Sequence, residues 1–359
     1  MHEQPFCDQE PVFVSGRDGY DTFRIPALIT APSGAVLAFC EGRRHGMGDS
    51  GEINLVLKRS LDGGVTWQPM QLVAEDGPNT VGNPCPVIDR ATGTIQLLLT
   101  HNLGEDTEAE IVNGTSKGTR RAWVTRSTDE GATWSAPTDL TATTKALDWT
   151  WYATGPGVGL PLRSGRLVIP CDHMVAETME YRSHVIYSDD HGETWQLGGV
   201  VGDGVNECQA IERRDGSLLL NMRNYDRVHA NQRALATSAD GGLTWSPLTY
   251  DAALVEPICQ AALLRGPEAP PSTRHRVLFS NPADRERVKM TVRLSYDEGE
   301  TWPVAKELFA GPSAYSSLAV LPERAIGCLY ERGDTHPYET ITLARFSLSW
   351  LTDGADRIP

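Results

Sequence analysis

The sequence predicts an all-β fold assembled from repeated small sheets, and three observations support that prediction. An eight-residue phrase of the form SxDxGxTW occurs five times, at intervals of 67, 61, 50 and 57 residues. Short alternating apolar runs, bounded by Gly, Pro and Asp, fill the intervals and are typical of strands. Convincing helical periodicity is absent from the sequence. The five copies begin at Ser60, Ser127, Ser188, Ser238 and Ser295.

The spacing of the phrase predicts the architecture. The mean interval of about 59 residues accommodates four short strands, and residues 35–39, 94–99 and 217–220 are among the runs that we expect to form them. About six such intervals fit into 359 residues, and small sheets repeated at this period stack radially. We therefore predict a six-bladed β-propeller in which one blade lacks the phrase and is shared between the chain ends. No stretch of linker composition divides the chain, so we expect one domain over residues 1–359.

The fixed letters of the phrase predict a tight turn. In the first copy, we expect Asp62 to accept hydrogen bonds from backbone amides one or two residues ahead, and Gly64 to supply a positive φ. Thr66 and Trp67 are expected to begin the next strand, because β-branched and aromatic residues pack well on a pleated surface. Five of the nine Trp residues occupy this place, which indicates wedges between neighbouring sheets. The phrases are thus predicted to be structural, with the chemistry elsewhere.

Composition argues against several classes of function. The net charge is −15 and basic residues form no run longer than a pair, so nucleic acid is not an expected partner. No apolar stretch approaches the ~20 residues that span a bilayer. The seven cysteines are scattered without a CxxC pair, and we expect neither a cofactor nor a metal framework. Asp106, Glu108 and Glu110 could bind Ca²⁺, but a solvated acidic loop is the better interpretation.

Cellular location is indicated only weakly. The first ten residues, MHEQPFCDQE, contain neither a cationic nor an apolar segment. This start and the odd number of cysteines favour a reduced, cytoplasmic chain, or a secreted or periplasmic one if a leader has been removed. Nothing in the sequence indicates an oligomeric state.

Between the repeated phrases the chain contains an ordered series of short motifs. In chain order they are FRIPAL, EGR, NPCP, GPGVGL, NECQA, NMRN, SNPA with TVRLS, SAYSSL and CLYE. Together with the five repeated phrases, the series resembles the exo-α-sialidases of the bacterial type, glycoside hydrolase family 33. In that family the repeated phrases are known as Asp boxes. The likeness covers nearly the whole chain. It implies a retaining enzyme that removes terminal sialic acid from oligosaccharides, glycoproteins or glycolipids.

The resemblance implies three arginines that bind the substrate carboxylate: Arg24 in FRIP, Arg223 in NMRN and Arg287 before TVRLS. Guanidinium groups match the fork of a carboxylate better than ammonium groups do, and each charge-assisted hydrogen bond contributes roughly 1.5–3 kcal/mol. Arg285 is the competitor for the third place. Glu331 in CLYE resembles the carboxylate that holds Arg24. Because the whole chain is acidic, an anion needs a focused positive pocket in order to bind.

The resemblance also implies a tyrosine nucleophile, Tyr315 in SAYSSL, with Glu207 in NECQA as its base. A phenol avoids the repulsion that a carboxylate would meet beside the carboxylate of the sugar, and sialidases are the tyrosine exception to the usual two-carboxylate mechanism. With a reference pKa of ~10, ionising the phenol in advance at pH 7 would cost roughly 4 kcal/mol. The base must therefore accept the proton as the new bond forms.

Asp49, in the Gly-rich loop HGMGDSGE, is the residue that the resemblance implies as acid and base. A carboxyl group must have its pKa raised, by partial burial or by negative neighbours, to act as an acid near neutral pH. Arg43 and Asn83 are implied to line the sugar pocket. Asp172 and His173 lie where loops of the family reach the substrate, although a structural role fits them about equally well.

Three alternatives to a hydrolase of ordinary sialic acid stay open. One is a hydrolase of the deaminated or another related nonulosonic acid, because the arginines recognise the carboxylate and not the substituent at carbon 5. Another is a trans-sialidase, since no motif reports on water exclusion or acceptor contacts. The third is a non-catalytic glycan-binding propeller, which the joint presence of Asp49, Glu207 and Tyr315 disfavours. Linkage preference is not readable from the sequence.

Overall fold

The computed structural model describes residues 4–267 and 274–357. Within these ranges the strands pair antiparallel in six sets of four strand positions, which surround a shared cavity. Each set is called a blade below. The predicted all-β propeller is confirmed. The single domain predicted over residues 1–359 includes residues outside the described ranges and stays a prediction.

The first three blades follow one another along the chain. The chain begins with β1 (Cys7–Val14), which belongs to the last blade. The first blade consists of β2 (Thr22–Thr30), β3 (Val36–Arg43), β4 (Ile53–Ser60) and β5 (Gln71–Ala74). The second consists of β6 (Thr80–Ile88), β7 (Ile95–Asn102), β8 (Arg121–Ser127) and β9 (Thr138–Asp139). In the third, β10 (Trp149–Thr154) and β11 (Leu160–Pro161) both pair with β12 (Leu167–Val175), and β13 (Tyr181–Ser188) and β14 (Gln196–Asp203) follow.

The last three blades close the ring. The fourth consists of β15 (Val205–Glu212), β16 (Leu218–Asn224), β17 (Gln232–Ser238) and β18 (Thr249–Val255). The fifth consists of β19 (Ala262–Arg265), β20 (Val277–Pro282), β21 (Val288–Ser295) and the first half of β22 (Val304–Val320). The second half of β22 pairs with β23 (Ile326–Arg332), and β24 (Thr340–Phe346) and then β1 complete the sixth blade. The sixth blade is thus the one without the phrase, and it is shared between the chain ends as predicted.

Helices are short throughout the described residues. They are α1 (Glu108–Val112), α2 (Thr141–Thr144), α3 (Leu348–Leu351) and a 3₁₀ turn over Pro322–Arg324. None of the helices in the described ranges is long and apolar enough to cross a membrane.

The repeated phrase forms the predicted turn, but with a different hydrogen-bond pattern. Asp62 Oδ1 accepts hydrogen bonds from the backbone amides of Val65 at 3.1 Å and Thr66 at 2.9 Å, and Oδ2 accepts from the Thr66 hydroxyl at 2.6 Å. These amides lie three and four residues ahead, so the predicted reach of one or two residues is wrong. The positive φ of Gly64, +86°, curls the chain back toward the carboxylate as expected.

The tryptophans of the phrase are wedges, as predicted, but they do not begin strands. Trp67 precedes β5, which begins at Gln71, because the Asp-centred turn keeps the intervening backbone out of the sheet. Trp67 packs in a cluster shared by the sixth and first blades, which includes Phe13 and Leu343. Trp134, Trp195, Trp245 and Trp302 pack in the same way in the clusters between later blades. Trp350 on α3 packs into the cluster of the fifth and sixth blades, where the phrase is missing.

Many of the innermost strands carry a β-bulge or similar irregularity near the cavity. In β2, Ile25 has a φ of +61° and precedes Pro26, which has no N–H for the ladder. In β6, Asn83 has a φ of +51° and precedes Pro84. Such breaks re-aim side chains, and here they turn polar groups toward the centre of the ring. The breaks lie between Arg24 and Ala27, Gly82 and Cys85, Trp149 and Tyr152, Val205 and Cys208, and Ser313 and Ser316.

Candidate active site

All six blades contribute side chains to the central cavity. The site residues predicted from the sequence all line it, except Glu331, which lies behind the wall. In blade order the polar lining residues are Arg24, Glu41, Arg43 and Asp49; Asn83, Glu108 and Arg120; Trp151, Asp172 and Tyr181; Asn206, Glu207, Arg223 and Tyr225; Arg287; Tyr315 and Tyr338.

Glu331 on β23 is fully buried and organises the first arginine. Its Oε1 accepts hydrogen bonds from Arg24 Nε at 2.8 Å and from the Ile25 amide at 2.9 Å. Its Oε2 accepts from the Tyr315 amide at 3.1 Å and, at 3.5 Å, from Arg24 Nη2. The role that the resemblance implied for Glu331 therefore extends to the backbone of the nucleophile candidate. Arg24 retains its Nη1 for an anion in the cavity.

Tyr338, which the sequence did not single out, links two arginines of the triad. The Arg24 guanidinium lies 3.7 Å from the centroid of the Tyr338 ring, and Arg287 Nη1 donates a hydrogen bond to the Tyr338 hydroxyl at 2.8 Å. Arg287 Nη2 also donates to the carbonyl of Ile258 at 3.3 Å. Arg285 is exposed and lies outside the cavity lining. The structure thus places Arg287, and not Arg285, beside the other two arginines.

Tyr315 and Glu207 form the closest polar pair of the site. Tyr315 is 6% exposed, and its hydroxyl donates a hydrogen bond to Glu207 Oε1. Arg223 Nη1 donates both to Glu207 Oε2 at 2.7 Å and to the Tyr315 hydroxyl oxygen at 3.1 Å. Burial raises the pKa of Tyr315 well above its ordinary value, and the charge of Glu207 raises it further against the opposing effect of Arg223. The phenol is therefore neutral near pH 7, with its proton already directed at the carboxylate.

Asp49 lies at the cavity mouth in an ion pair that the sequence did not predict. Its Oδ1 is 2.8 Å from Arg43 Nη2, and its side chain is half exposed. Desolvation would raise the pKa of Asp49, but the charges of Arg43 and Arg24 outweigh it, and the pKa is lowered from its ordinary value. The expectation of a raised pKa is wrong for this arrangement, because the nearest neighbours of Asp49 are cations.

Arg43 and Asn83 are held by a shared carboxylate. Glu41 Oε2 accepts hydrogen bonds from Arg43 Nη2 at 2.6 Å and Nε at 3.0 Å, while its Oε1 accepts from the Asn83 amide at 2.8 Å. A Cβ at Gly82 would lie 2.3 Å from Glu41 Oε1, so only glycine admits this carboxylate. The two residues implied to line the sugar pocket are thus fixed by one buried group.

Two sets of predicted candidates separate in the structure. Asp172 and His173 are consecutive in β12, so their side chains point to opposite faces of the sheet. Asp172 lines the cavity, whereas His173 stacks on Trp149 with ring centroids 3.4 Å apart in the core.

The three acidic candidates Asp106, Glu108 and Glu110 also lie in different environments. Asp106 accepts backbone hydrogen bonds from Lys117 and Gly118 at 2.9 Å each, and Glu110 forms the capping box of α1. Only Glu108 reaches the cavity. Across the described residues, no group of three or more His, Cys, Asp or Glu side chains is arranged to hold a metal ion. The Ca²⁺ interpretation, which the sequence already disfavoured, has no support from this geometry.

Sequence reasoning missed several lining residues. Arg120, Trp151, Tyr181 and Tyr225 all face the cavity. Tyr225 lies two residues after Arg223, in the continuation of NMRN, and strand alternation could have indicated it. The other three lie in stretches without a motif, and only the ring geometry brings them together.

A cavity with three arginines around a paired tyrosine and glutamate, at the centre of a β-propeller, defines a glycosidase class that acts on an acidic sugar. Residues 26–328 match a family model described as a BNR repeat-like domain. The chain is 36% identical to the sialidase of Micromonospora viridifaciens over 97% of its own length, and it spans 55% of that protein.

Other relatives are matched along most of their length. The identity to the exo-alpha-sialidase of Arthroderma benhamiae is 32%, and the match covers 94% of this chain and 86% of that protein. Among solved structures, the Hadza microbial sialidase Hz136 superposes with a TM-score of 0.87 at 31% identity, over 96% of this chain and 69% of that chain. The chain belongs to the sialidase family.

Proposed function

We propose that the protein is a retaining exo-α-sialidase that releases terminal sialic acid from glycoconjugates through a tyrosyl-enzyme intermediate. The observation that carries the proposal is the hydrogen bond from the Tyr315 hydroxyl to Glu207, made within a ring of three arginines. A site that only bound a glycan would not need a phenol directed at a base. The names of the curated relatives support the same activity.

In the first half-reaction, Arg24, Arg223 and Arg287 hold the sugar carboxylate and so place the anomeric carbon over Tyr315. The bond between the Tyr315 oxygen and carbon 2 forms while the bond from carbon 2 to the glycosidic oxygen breaks. Glu207 accepts the phenolic proton, and Asp49 in its acid form donates a proton to the departing oxygen.

In the second half-reaction, water attacks carbon 2 from the side that the leaving group has vacated. Asp49, now a carboxylate, accepts the proton of that water, and Tyr315 departs and recovers its proton from Glu207. Two inversions give net retention. The ion pair with Arg43 favours the ionised form of Asp49 that this step requires.

The direct test is release of free sialic acid from α2,3- and α2,6-sialyllactose, followed by mass spectrometry. We expect free acid from the unmodified protein and almost none from Tyr315→Phe. Tyr250→Phe is a matched control, because Tyr250 stacks on His229 outside the cavity, and it should retain full activity. Binding without release would favour the non-catalytic alternative, and a transferred or anhydro product would favour a trans-sialidase.

A cytoplasmic location also stays a prediction. Its support is that each of the seven cysteines, all within the described residues, is a free thiol. Fractionation of the producing cells with an activity assay tests it, and activity outside the cytoplasm would contradict it.

A further inference from the structure

Arg233 on β17 and Glu256, which follows β18, form a buried ion pair that the mechanism does not use. Their side chains are 0% and 1% exposed, Arg233 Nη1 donates a hydrogen bond to Glu256 Oε2, and neither residue lines the cavity. Removing two charges from water is costly, and an apolar pair of similar volume is often at least as stable. Stability is therefore a weak reason for this ion pair, and its contacts with the site provide a stronger one.

The ion pair anchors β16 on both sides of Arg223. Arg233 Nε donates a hydrogen bond to Asn221 Oδ1 at 2.7 Å. Glu256 Oε1 accepts a hydrogen bond from the Asn224 amide at 2.8 Å. Asn221 and Asn224 are the two ends of the NMRN motif, and Arg223 lies between them. A shift of the ion pair would therefore move the strand that carries Arg223.

The segment over residues 256–260, which lies between the fourth and fifth blades, extends this restraint to Arg287. The Cys259 carbonyl accepts a hydrogen bond from Arg233 Nη1 at 2.7 Å. The neighbouring Ile258 carbonyl accepts from Arg287 Nη2 at 3.3 Å. The ion pair includes the first residue of the segment, so it holds the segment at two points.

The last residue of the segment holds the strand that carries the nucleophile candidate. Gln260 Nε2 donates a hydrogen bond to the Ser316 carbonyl at 2.9 Å, and the Ser316 amide donates to Gln260 Oε1 at 2.9 Å. Ser316 follows Tyr315, and Cys259 packs in one cluster with Tyr315. The two arginines and Tyr315 are therefore joined through one segment that the ion pair fixes.

Strand pairing does not set the separation between Arg223 and Arg287. In the part of the chain that the structure describes, the strands of the fourth blade do not pair with those of the fifth. Their relative position therefore depends on side-chain packing and on connections such as the 256–260 segment. The planar guanidinium of Arg233 has donors at fixed angles, so it holds its three acceptors at fixed relative positions.

We propose that Arg233 and Glu256 are positioning residues, whose ion pair sets the separation of Arg223 and Arg287 and the place of Tyr315 beside them. This inference rests on the exo-sialidase function proposed above. Neither residue of the pair lines the cavity, so both act through the groups that do. A displacement of about 1 Å in such groups can cost roughly a hundredfold in rate.

The test removes both charges together, in the double variant Arg233→Met with Glu256→Leu, so that no unpaired charge is left buried. Calorimetry with 2-deoxy-2,3-didehydro-N-acetylneuraminic acid measures the Kd, and the stoichiometry of binding measures the fraction of folded protein. We expect the Kd to rise by roughly tenfold to a hundredfold, because the carboxylate loses a well-placed charge-assisted hydrogen bond. In hydrolysis of the methylumbelliferyl sialoside, KM should rise and kcat should fall, since the arginines and Tyr315 are displaced together.

The matched control is the double variant Arg276→Met with Asp356→Leu. That ion pair is similarly buried, with side chains 1% and 4% exposed, and it lies outside the cavity lining. The control should leave the Kd and the KM unchanged, whatever its effect on the free energy of unfolding.

An unchanged Kd in the first double variant would overturn the proposal, and so would a reduced stoichiometry alone, which is what a merely structural role predicts. An equal rise of the Kd in the control would also overturn it. Arg233→Lys is the second variant if the double variant does not fold, because it keeps a charge beside Glu256 but lacks the guanidinium fork. Its Kd should rise as well, and an unchanged value would overturn the proposal.

The proposed function and the positioning role fail in different ways. An unmodified protein that bound the analogue without hydrolysing any sialoside would contradict the function, and the Kd values of the variants would still decide the positioning role. An unmodified protein that did not bind the analogue would overturn both.

Discussion

Glu331 shows how one buried side chain can order most of a site. It accepts hydrogen bonds from the Arg24 guanidinium and from the backbone of Ile25 and Tyr315, so it couples the carboxylate-binding arginine to the nucleophile. A charged group buried this completely is stable only with such a full set of donors. The geometry of the triad and the position of Tyr315 are therefore not independent.

Arg287 should be required for binding, whereas the nearby Arg285 should not. Because Arg287 lies in the cavity beside Tyr338, we expect Arg287→Ala to raise the Kd of a sialic acid analogue by roughly tenfold to a hundredfold, as for a lost charge-assisted hydrogen bond. Arg285→Ala is the matched control and should bind normally. Calorimetry measures both, and the reverse order of effects would show that the third arginine is wrongly assigned.

The defect of Asp49→Ala should depend on the leaving group. A protonated Asp49 contributes roughly 10²–10⁴-fold when the departing group is a basic sugar alkoxide, and much less when it is a phenol such as methylumbelliferone. Tyr315→Phe should instead slow both reactions severely, because the attacking oxygen is gone. The measurement is kcat/KM on sialyllactose and on the methylumbelliferyl sialoside. Equal fractional losses for Asp49→Ala would transfer the acid role to another carboxyl group at the mouth, such as Glu108.

At the scale of secondary-structure elements, the turns that stabilise the blades and the register breaks that position site residues lie in different parts of each blade. The Asp-centred turns lie between the outer strands of a blade, and their tryptophans pack against the preceding blade. The register breaks lie on the inner strands and carry residues such as Arg24, Asn83 and Tyr315 into the cavity. Substitutions in the turns should therefore affect stability, whereas substitutions at the register breaks should affect the site.

Asp129→Ala should destabilise the fold without changing the chemistry. Asp129 Oδ1 accepts from the Thr133 amide at 2.9 Å and from the Ser127 hydroxyl at 2.8 Å, so we expect the free energy of unfolding to fall by about 1 kcal/mol or more. Denaturant titration measures this loss. Thr128→Ala, at the exposed neighbouring position, is the control. A variant of normal stability with no turnover would contradict a structural role.

The same turn predicts a dependence on pH. The hydroxyl and the amide of Thr133 lower the pKa of Asp129 to about 2. A lowered pKa means that the stabilisation is complete above the ordinary value of about 4 and is lost as pH falls through the folded value. The difference in stability between the unmodified protein and Asp129→Ala should therefore shrink as pH falls from 4 to 2. A constant difference over that window would contradict this origin of the stabilisation.

The sequence could predict features that local chemistry determines, but not features that depend on tertiary contacts. The turns and the motif arginines were predictable because each is a contiguous pattern whose local chemistry determines its conformation, as in Asp62 with Gly64 and in FRIP. The ion pair of Asp49 with Arg43, and the presence of Arg120 in the cavity lining, depend on which strands lie side by side and on what burial leaves unpaired. Such information is not local, so the sequence indicated the wrong pKa direction for Asp49 and did not single out Arg120.

At the scale of the whole molecule, the cavity contains charges of both signs in close pairs and is not uniformly positive. Five arginines and five carboxyl groups are among the described lining residues. The predicted positive pocket therefore applies only to the side with Arg24, Arg223 and Arg287, where the substrate carboxylate binds. In a chain of net charge −15, this local arrangement orients an anion as well as attracting it.

The packing of β1, which closes the ring, should contribute strongly to the free energy of unfolding. Phe13 on β1 is fully buried, pairs with Ile341 on β24, and has its ring centroid 5.3 Å from that of Phe23 on the first blade, so it links the C-terminal strand to the first blade. We expect Phe13→Ala to lower the free energy of unfolding by about 3–5 kcal/mol. Val228→Ala, at a position 84% exposed, is the control. Calorimetric unfolding measures both, and a loss no larger than that of the control would mean that β1 does not contribute to closure.

The central claim is that Tyr315 is the nucleophile, and trapping the intermediate tests it most directly. The protein is incubated with 2,3-difluorosialic acid, in which the bond from carbon 2 to fluorine breaks as the Tyr315 oxygen attacks and Glu207 accepts the phenolic proton. Peptide mass spectrometry should then locate the sugar on Tyr315, with no adduct in Tyr315→Phe. An adduct on Glu207 or Asp49, or a protein that hydrolyses sialosides normally after Tyr315→Phe, would contradict the account.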